Sequence, residues 1–185
     1  MNNKTIIEAV RYWVDDVVIA HNFCPFAGFV RQPETIHYAV CEAQDSADIM
    51  VALYDECRRL DDDDSISTTL LMLPALRCFD EYLDTLALAQ TMMSQWHYEG
   101  EYQLASFHPD YQFEGEPVDS PSNYTNRAPY PVFHLIRERD ITRALEDYDD
   151  PASIFEKNIA RAEQLGCQHL QSQVQHCRKK AGAEH

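Results

Sequence analysis

The chain has 185 residues and a formal net charge of −16, and these two properties limit what it can be and what it can bind. This length suits one domain with a substantial core, which we expect to span residues 1–180 and to be followed by a disordered tail at 181–185. Because the excess of acidic residues repels phosphate backbones and anionic lipids, we expect neither nucleic acid nor a membrane as a partner.

Two features of the sequence predict a cytoplasmic protein, and the lack of a secretion signal in turn guides the interpretation of the cysteines. No apolar run approaches the roughly 20 residues that a membrane-spanning helix needs. The N-terminal segment has Glu8, Asp15 and Asp16 where a signal peptide would have an uninterrupted apolar run. Six cysteines are widely spaced and form no CxxC pair, which favours free thiols over disulfides or a zinc cluster.

Hydrophobic periodicity divides the first half of the chain into alternating helices and strands. Thr5 and Glu8 have the spacing of a capping box and open an amphipathic helix. Proline disfavours helical geometry at the residue before it, so Cys24 should lie in a turn after this helix. The acidic run Asp61–Asp64 lacks the spacing of a calcium loop and indicates a solvated connector. The predicted elements are a helix at 5–21, a strand at 35–41, a helix capped by Asp45 or Ser46, and a strand at 66–73.

The second half continues the alternation and predicts the fold class. Strands that alternate with helices imply right-handed parallel crossovers. We expect an α/β domain whose mostly parallel or mixed sheet of about four strands is covered by helices, with a ferredoxin-like variant if the last strand is antiparallel. The predicted elements are a helix at 79–96, a strand at 102–107, a long loop, a strand at 131–137, a short helix at 141–145, and a terminal helix at about 151–178 that starts with Asp150-Pro151.

The stretch 107–137 holds most of the unusual polar residues of the chain. Loops of this length are uncommon in a compact domain and are usually functional or disordered, and the aromatic residues here argue against disorder. His108 follows a predicted strand, at a place where sites gather in α/β sheets. Asp110 is close enough to orient the imidazole or to share a metal. These two residues are candidates for acid-base catalysis, and a histidine that only hydrogen-bonds the turn is the alternative.

Arg127 lies in an aromatic loop that prolines stiffen. In a chain this acidic, such an arginine is well placed to bind a carboxylate or a phosphate group. Asn123 and Asn126 can supply amide hydrogen bonds to the same substrate, and Tyr130 can wall the pocket. Alternatively, the asparagines serve turns and the arginine pairs with a local carboxylate. We favour substrate binding for this group.

His134 falls in the middle of the last strand, between apolar neighbours. This pattern is compatible with a histidine buried in the core and equally with a histidine that binds the substrate. If it shared a cavity with His108, the two imidazoles and a carboxylate would suit iron, manganese or zinc. Arg137 faces the other way under strand alternation, and the run Arg137-Glu138-Arg139-Asp140 indicates a salt-bridged strand end that leads into a helix.

Cys24 has a catalytic and a structural interpretation. A nucleophilic thiol needs a lowered pKa, and the preceding helix presents its negative end to this residue, which favours the protonated thiol. Activation would require His108, His134 or Arg127 to fold over it. Otherwise Cys24 is a small buried turn residue.

Three motifs of the chain occur together in one known family. They are His21-Asn22-Phe23-Cys24-Pro25-Phe26-Ala27, then Phe107-His108-Pro109-Asp110-Tyr111-Gln112-Phe113, then residues 122–131 with His134-Leu135-Ile136-Arg137-Glu138. This combination resembles the uncharacterised bacterial family named domain of unknown function 1415, and the resemblance covers almost the whole chain. It implies that the turn at Cys24 and the long loop belong to one family signature, and it implies no activity, cofactor or fold.

These observations favour a cytoplasmic enzyme that acts on a small anionic metabolite. Arg127 and the loop asparagines would bind the metabolite, His108 would act as general acid or base, and Cys24 would be a nucleophile or ligand. The alternative is a non-catalytic protein that holds a small molecule or a metal in the same pocket. A third interpretation, an interaction domain whose acidic surface docks a basic protein, explains the charge but not the loop. The reaction, the cofactor, the metal and the oligomeric state stay undetermined.

Overall fold

A computed structural model describes residues 2–146, 150 and 153–183 of the chain. Seven α-helices, a π-helical segment, a 3₁₀ helix and four strands lie within these residues. In order they are α1 (Asn3–Trp13), the π-helical segment (Val14–Ile19), α2 (Pro25–Arg31), β1 (Ile36–Val40), α3 (Ser46–Asp62), β2 (Thr68–Met72), α4 (Phe79–Gln95), β3 (Tyr102–Phe107), the 3₁₀ helix (Pro121–Thr125), β4 (Val132–Arg137), α5 (Glu138–Leu145), α6 (Ile154–Leu165) and α7 (Cys167–Ala183).

The four strands form one mixed sheet in the order β1-β2-β4-β3. β1 and β2 run parallel, and β4 lies antiparallel to both of its neighbours. The predicted α/β fold with a mixed sheet is therefore confirmed. Every residue of β2 is buried, whereas β1 and β3 are mostly half-buried. This difference follows from their positions, because an interior strand contacts helices on both faces and an edge strand is only partly covered.

Helices cover both faces of the sheet, and the side chains of β4 alternate between them. Phe133 and Leu135 pack into a core with α3 and α4. Val132 and Ile136 pack into the other core, which α1, the π-helical segment, α2 and α7 complete. His134 shares the face of Val132 and Ile136, so it lies beneath the N-terminal and C-terminal helices.

The first helix begins earlier than the sequence predicts. Asn2 is the N-cap, and its Oδ1 accepts a hydrogen bond from the Lys4 N–H at 3.1 Å. The predicted capping box of Thr5 and Glu8 is wrong, because both residues lie inside α1. The cap predicted for α3 is confirmed, since the Asp45 side chain accepts from the Ala47 N–H at 2.8 Å.

The predicted terminal helix is two helices. Gly166 has a φ of +78°, a left-handed conformation that ends α6 and redirects the chain into α7. The continuous helix predicted at 151–178 is wrong for this reason, and its predicted start at Pro151 lies outside the described residues. α7 continues to Ala183 with Ala181 buried, so residues 181–183 of the predicted tail are helical.

Arg137 joins the end of β4 to the C-terminus of α3. The residue is buried, its Nε donates to the Ile66 carbonyl at 3.0 Å, and its Nη2 donates to the carbonyls of Leu60 and Asp63. The predicted salt-bridged strand end is confirmed at Arg139, which pairs with Asp64 and Asp140. At Arg137, carbonyl groups at and just beyond the negative end of α3 satisfy the guanidinium instead. Arg137 is part of the scaffold.

The acidic run Asp61–Asp64 is exposed at the end of α3 and in the turn after it, so the predicted solvated connector is confirmed. Among the helices that the structure describes, none has both the length and the apolar character that crossing a bilayer requires.

Candidate functional site

Two asparagines hold the long loop between β3 and β4 together. Asn123 is fully buried, its Oδ1 accepts from the Phe113 N–H at 3.0 Å, and its Nδ2 donates to the Pro117 carbonyl at 2.9 Å. The Nδ2 of Asn126 donates to the Ser106 carbonyl in β3 at 3.1 Å. These amides, which the sequence suggests as substrate ligands, are therefore engaged within the loop and its neighbouring strand.

His108 is fully buried at the start of the loop, and both of its ring nitrogens have partners. The Asp110 N–H donates to Nδ1 at 3.0 Å, so Nε2 carries the proton and donates to the Leu76 carbonyl at 3.1 Å. The ring packs against Phe79 and Tyr82 of α4, with centroids 5.1 and 5.0 Å away. Burial lowers the pKa of His108, which the bond to Leu76 and the charge of Asp110 oppose. His108 is therefore a neutral histidine whose hydrogen bonds hold the turn.

Arg127 is anchored by the loop that carries it. Its Nε donates to the Tyr111 carbonyl at 2.9 Å, and its Nη2 donates to the Val118 carbonyl at 2.7 Å. The guanidinium carbon lies 4.7 Å from the centroid of the Tyr124 ring. A guanidinium has more N–H donors than these two bonds use, so Arg127 keeps donors for a ligand.

Arg127 and Asp110 line a cleft of about 180 Å³ between the loop and α7. Helix α7 contributes Gln171, Gln175 and Arg178 to this cleft. These three residues are spaced four and three apart, so they project from one face of the helix. The cleft is therefore a joint product of the loop and the C-terminal helix.

A second opening of about 430 Å³ adjoins the first and shares Asp110 and Arg178 with it. Arg77, from the turn after β2, and Tyr130 also line this opening. The Arg178 Nε donates to the Pro129 carbonyl at 2.6 Å, and its guanidinium carbon lies 5.2 Å from the centroid of the Tyr130 ring. We name the two openings together the arginine cleft.

The charge of the arginine cleft is opposite to that of the chain. Arg77, Arg127 and Arg178 line it, and Asp110 is the one carboxylate among its lining residues. Arginine stays protonated at any pH that a protein tolerates. A concave surface with a local positive charge attracts small anions.

Cys24 lies in a different and smaller cavity, of about 40 Å³. It is the N-cap residue of α2, so the prediction that a negative helix end faces the thiol is wrong. Burial raises the pKa of Cys24, and the backbone N–H groups of Ala27 and Phe26 only partly offset this effect. The thiol is therefore protonated at neutral pH.

His134 lines the same small cavity as Cys24, and Thr68 orients it. The Thr68 hydroxyl donates to the Leu135 carbonyl, so its oxygen accepts from the His134 Nε2 at 2.7 Å. Burial lowers the pKa of His134 to about 3, so the imidazole is neutral. Trp13 lines this cavity as well, and its buried Nε1 has no hydrogen-bond partner among the described residues. The cavity holds a neutral thiol and a neutral imidazole, whereas a cysteine nucleophile needs a thiolate.

Five of the eight predicted site residues line a cavity, in two separate groups, whereas His108, Asn123 and Asn126 line none of these cavities. Asp110, Arg127 and Tyr130 line the arginine cleft. Cys24 and His134 line the small cavity instead. The turn at Cys24 therefore does not join the cleft in one pocket.

The two histidines of the predicted metal site do not share a cavity. His108 contacts α4, which covers one face of the sheet, and His134 lies under α1 and α2 on the other face. Across residues 2–146, 150 and 153–183, no group of three or more His, Cys, Asp or Glu side chains is arranged to hold a metal ion.

The arginine cleft includes two arginines and two glutamines that were not among the predicted site residues: Arg77, Arg178, Gln171 and Gln175. The basic cluster Arg178–Lys180 is a signal in the sequence, because it stands out in an acidic chain. The two glutamines have no such signal, since glutamine is common on exposed helix faces.

The fold and the site define an α/β protein with a mixed four-stranded sheet and an arginine-lined surface cleft. The chain belongs to the family described as protein of unknown function (DUF1415), whose model matches residues 5–172. This match confirms the resemblance drawn from the sequence motifs. The matched range includes the long loop and Gln171, whereas Gln175 and Arg178 lie beyond its end. A search of curated proteins found no match to the chain, and a search of solved structures also found none.

Proposed function

We propose that this protein binds a small anionic metabolite in the arginine cleft. Arg127 from the loop and Arg178 from α7 carry this proposal, because they line one concave cleft in a chain whose formal net charge is −16. The net charge of the chain as a whole opposes the approach of an anion. Clustered guanidinium groups supply a local attraction against this background.

The donors of the cleft favour a phosphate ester or a dicarboxylate. A guanidinium binds either group through two parallel hydrogen bonds, and the amides of Gln171 and Gln175 can donate to further oxygens. The first opening, of about 180 Å³, is smaller than the pockets of about 300–1,000 Å³ that enclose drug-sized ligands. A compact anion therefore fits it, and a longer metabolite would extend past Arg178 into the adjoining opening.

Asp110 is the group best placed for acid-base chemistry if the protein is an enzyme. It lines both openings, and His108 fixes its backbone by accepting its N–H at 3.0 Å. In that case His108 is a positioning residue and Asp110 is the general acid or base. A non-catalytic binding protein needs only the arginines and the glutamines of the cleft.

Calorimetric titration with inorganic phosphate, and separately with malonate, tests the proposal. We expect saturable binding of a single anion to the wild-type protein, and affinity lower by about tenfold in Arg178→Gln, because a charge-assisted hydrogen bond is lost. Arg77→Gln, at the exposed turn after β2, should weaken binding without touching the loop contacts. Lys179→Gln is the matched control: it removes the same charge from an exposed residue that does not line the cleft.

Two results would contradict the proposal. One is a well-folded wild-type protein that binds neither probe. The other is an equal loss of affinity in Arg178→Gln and Lys179→Gln, which would mean that only diffuse charge attracts the anion.

A further inference from the structure

Helices α3 and α4 each carry an apolar stripe beside the residues that they bury in the core. On α3 this stripe includes Val51 and Tyr54, with Met50, a buried core residue, at its edge. On α4 it includes Leu88 and Met92 and continues to the C-cap residue Trp96. The two stripes line an open groove of about 540 Å³ between the helices. We name it the α3–α4 groove.

The groove is apolar and open to solvent. Val51 is 59% exposed, Leu88 is 39% exposed and Tyr54 is 38% exposed. The core beneath the two helices is already filled by other residues of α3 and α4, including Leu53 and Tyr82, which are fully buried. Contiguous exposed apolar surface that the core does not need is typical of a protein interaction site.

The shape of the groove suits a helix. Leu88, Met92 and Trp96 recur every four residues along α4, and the residues of α3 recur at intervals of three and four, so each helix presents a ridge to the same groove. A third helix packs between two such ridges in the way that helices pack in bundles. Met50 and Met92 add flexible thioethers, which adapt to the side chains of a partner.

Exposed carboxylates neighbour the lining residues of the groove along both helices, and we name them its rim. They are Asp48 and Asp55 of α3 and Asp84 of α4, whereas Arg58, one turn beyond Tyr54, is a basic exception. Asp55 lies one turn beyond Val51, and Asp84 lies one turn before Leu88, so both carboxylates flank the apolar stripes.

This rim disfavours a second copy of the chain as the occupant. A twofold contact through the groove would bring the same carboxylates of two chains together, each with a formal net charge of −16. Like charges juxtaposed across an interface oppose association, whereas a basic partner gains attraction from the same rim.

We propose that the α3–α4 groove docks an amphipathic helix of a partner protein, with apolar anchors on one face and lysine or arginine on the flanks. The anchors pack between Val51 and Leu88, and the basic flanks lie near Asp55 and Asp84. None of these residues lines the arginine cleft, so this interaction is separate from anion binding.

A synthetic leucine-lysine peptide with leucines at helical spacing is the probe. Its binding can be followed by the emission of Trp96, since the other of the two tryptophans, Trp13, is only 2% exposed. We expect a blue shift and saturable binding that weakens severalfold between about 0.05 M and about 0.5 M salt. A leucine-glutamate peptide of the same pattern and a scrambled leucine-lysine peptide should bind at least about tenfold more weakly.

Val51→Asp and Leu88→Asp should each lower the affinity for the probe by about tenfold. Both substitutions add negative charge, so non-specific attraction of a basic peptide would rise instead. Val118→Asp is the matched control: it adds the same charge at an apolar residue that is 65% exposed and lies outside the groove. It should leave the affinity within about twofold of the wild type.

Three results would overturn the proposal. The first is no binding of the probe to folded wild-type protein. The second is equal binding by wild type and Leu88→Asp. The third is a concentration-dependent dimer in sedimentation of the wild type that Val51→Asp abolishes, because the occupant would then be a second copy of the chain.

Discussion

Arg178 of α7 donates two hydrogen bonds from its guanidinium to the Pro129 carbonyl in the long loop. This contact joins two parts of the chain that are far apart in sequence, and it lies where the two openings of the arginine cleft meet. The C-terminal helix therefore completes a cleft that the loop does not form alone.

Asp110→Asn should raise the affinity of the cleft for phosphate severalfold. The carboxylate of Asp110 repels an anion bound by Arg127 and Arg178, and asparagine removes this charge while keeping the size of the side chain. Calorimetry at low ionic strength measures the change, and the gain should shrink as added salt screens the charge. A lower affinity in Asp110→Asn would show instead that the carboxylate takes part in holding the ligand.

Arg137→Leu should lower the free energy of unfolding by about 3 kcal/mol, because carbonyl groups of Leu60, Asp63 and Ile66 lose a buried charged donor. Urea denaturation measures the loss. Arg139→Leu is the control: this arginine is 59% exposed and pairs with Asp64 at the surface, so its loss should cost at most about 1 kcal/mol. Equal losses in the two variants would contradict the scaffold role of Arg137.

The sheet was predictable because apolar patterning marks its strands directly. β3 was predicted at residues 102–107 and has those bounds, and β2 falls within the apolar run at 66–73. The sequence does not determine the direction of β4, because a 24-residue loop allows either a parallel or an antiparallel return. The break at Gly166 was missed, since one glycine in a helical pattern signals a break only when its backbone turns left-handed.

The candidate site was predictable as a region but not as a set of contacts. Asp110 and Arg127 do line a cleft, whereas Asn123 and His108 use their polar atoms to hold the loop. Sequence gives the residue types that can bind a ligand, but the backbone groups of a folded loop compete for the same hydrogen bonds. Only the three-dimensional arrangement shows which side chains remain free.

His134 should make stability fall with acid. Burial lowers its pKa from the ordinary value of 6.5 to about 3, so the unfolded chain binds a proton more readily than the folded one. The stability from this residue is complete above pH 6.5 and is lost as the pH falls towards 3, by up to about 1.4 kcal/mol per pH unit. The pKa of His108 is also lowered by burial, so His108 likewise makes the folded protein less stable as the pH falls.

Urea unfolding at a series of pH values checks this prediction with His134→Gln, which can still donate to Thr68 but does not titrate. Its free energy of unfolding should depend less steeply on pH than that of the wild type between about pH 6 and pH 4. His176→Gln, at an exposed position on α7, is the control and should keep the wild-type slope. An unchanged slope in His134→Gln would show that the pKa of His134 is the same in the folded protein as in the unfolded chain.

Cys24 should react slowly with alkylating agents. Burial raises the pKa of its thiol, so little thiolate is present at neutral pH, and the cavity restricts access. Alkylation by iodoacetamide, followed by mass spectrometry of the labelled peptides, should be at least about tenfold slower at Cys24 than at the exposed Cys78. A faster reaction at Cys24 would restore the nucleophile interpretation.

Nuclear magnetic resonance of isotope-labelled arginine side chains, titrated with inorganic phosphate, tests anion binding in the cleft most directly. We predict that the guanidinium signals of Arg77, Arg127 and Arg178 shift together and saturate with one affinity. The signals of Arg143 and Arg161, exposed on α5 and α6, should stay in place. Shifts of similar size at all arginines, or saturable shifts confined to arginines outside the cleft, would contradict the assignment of the arginine cleft as the binding site.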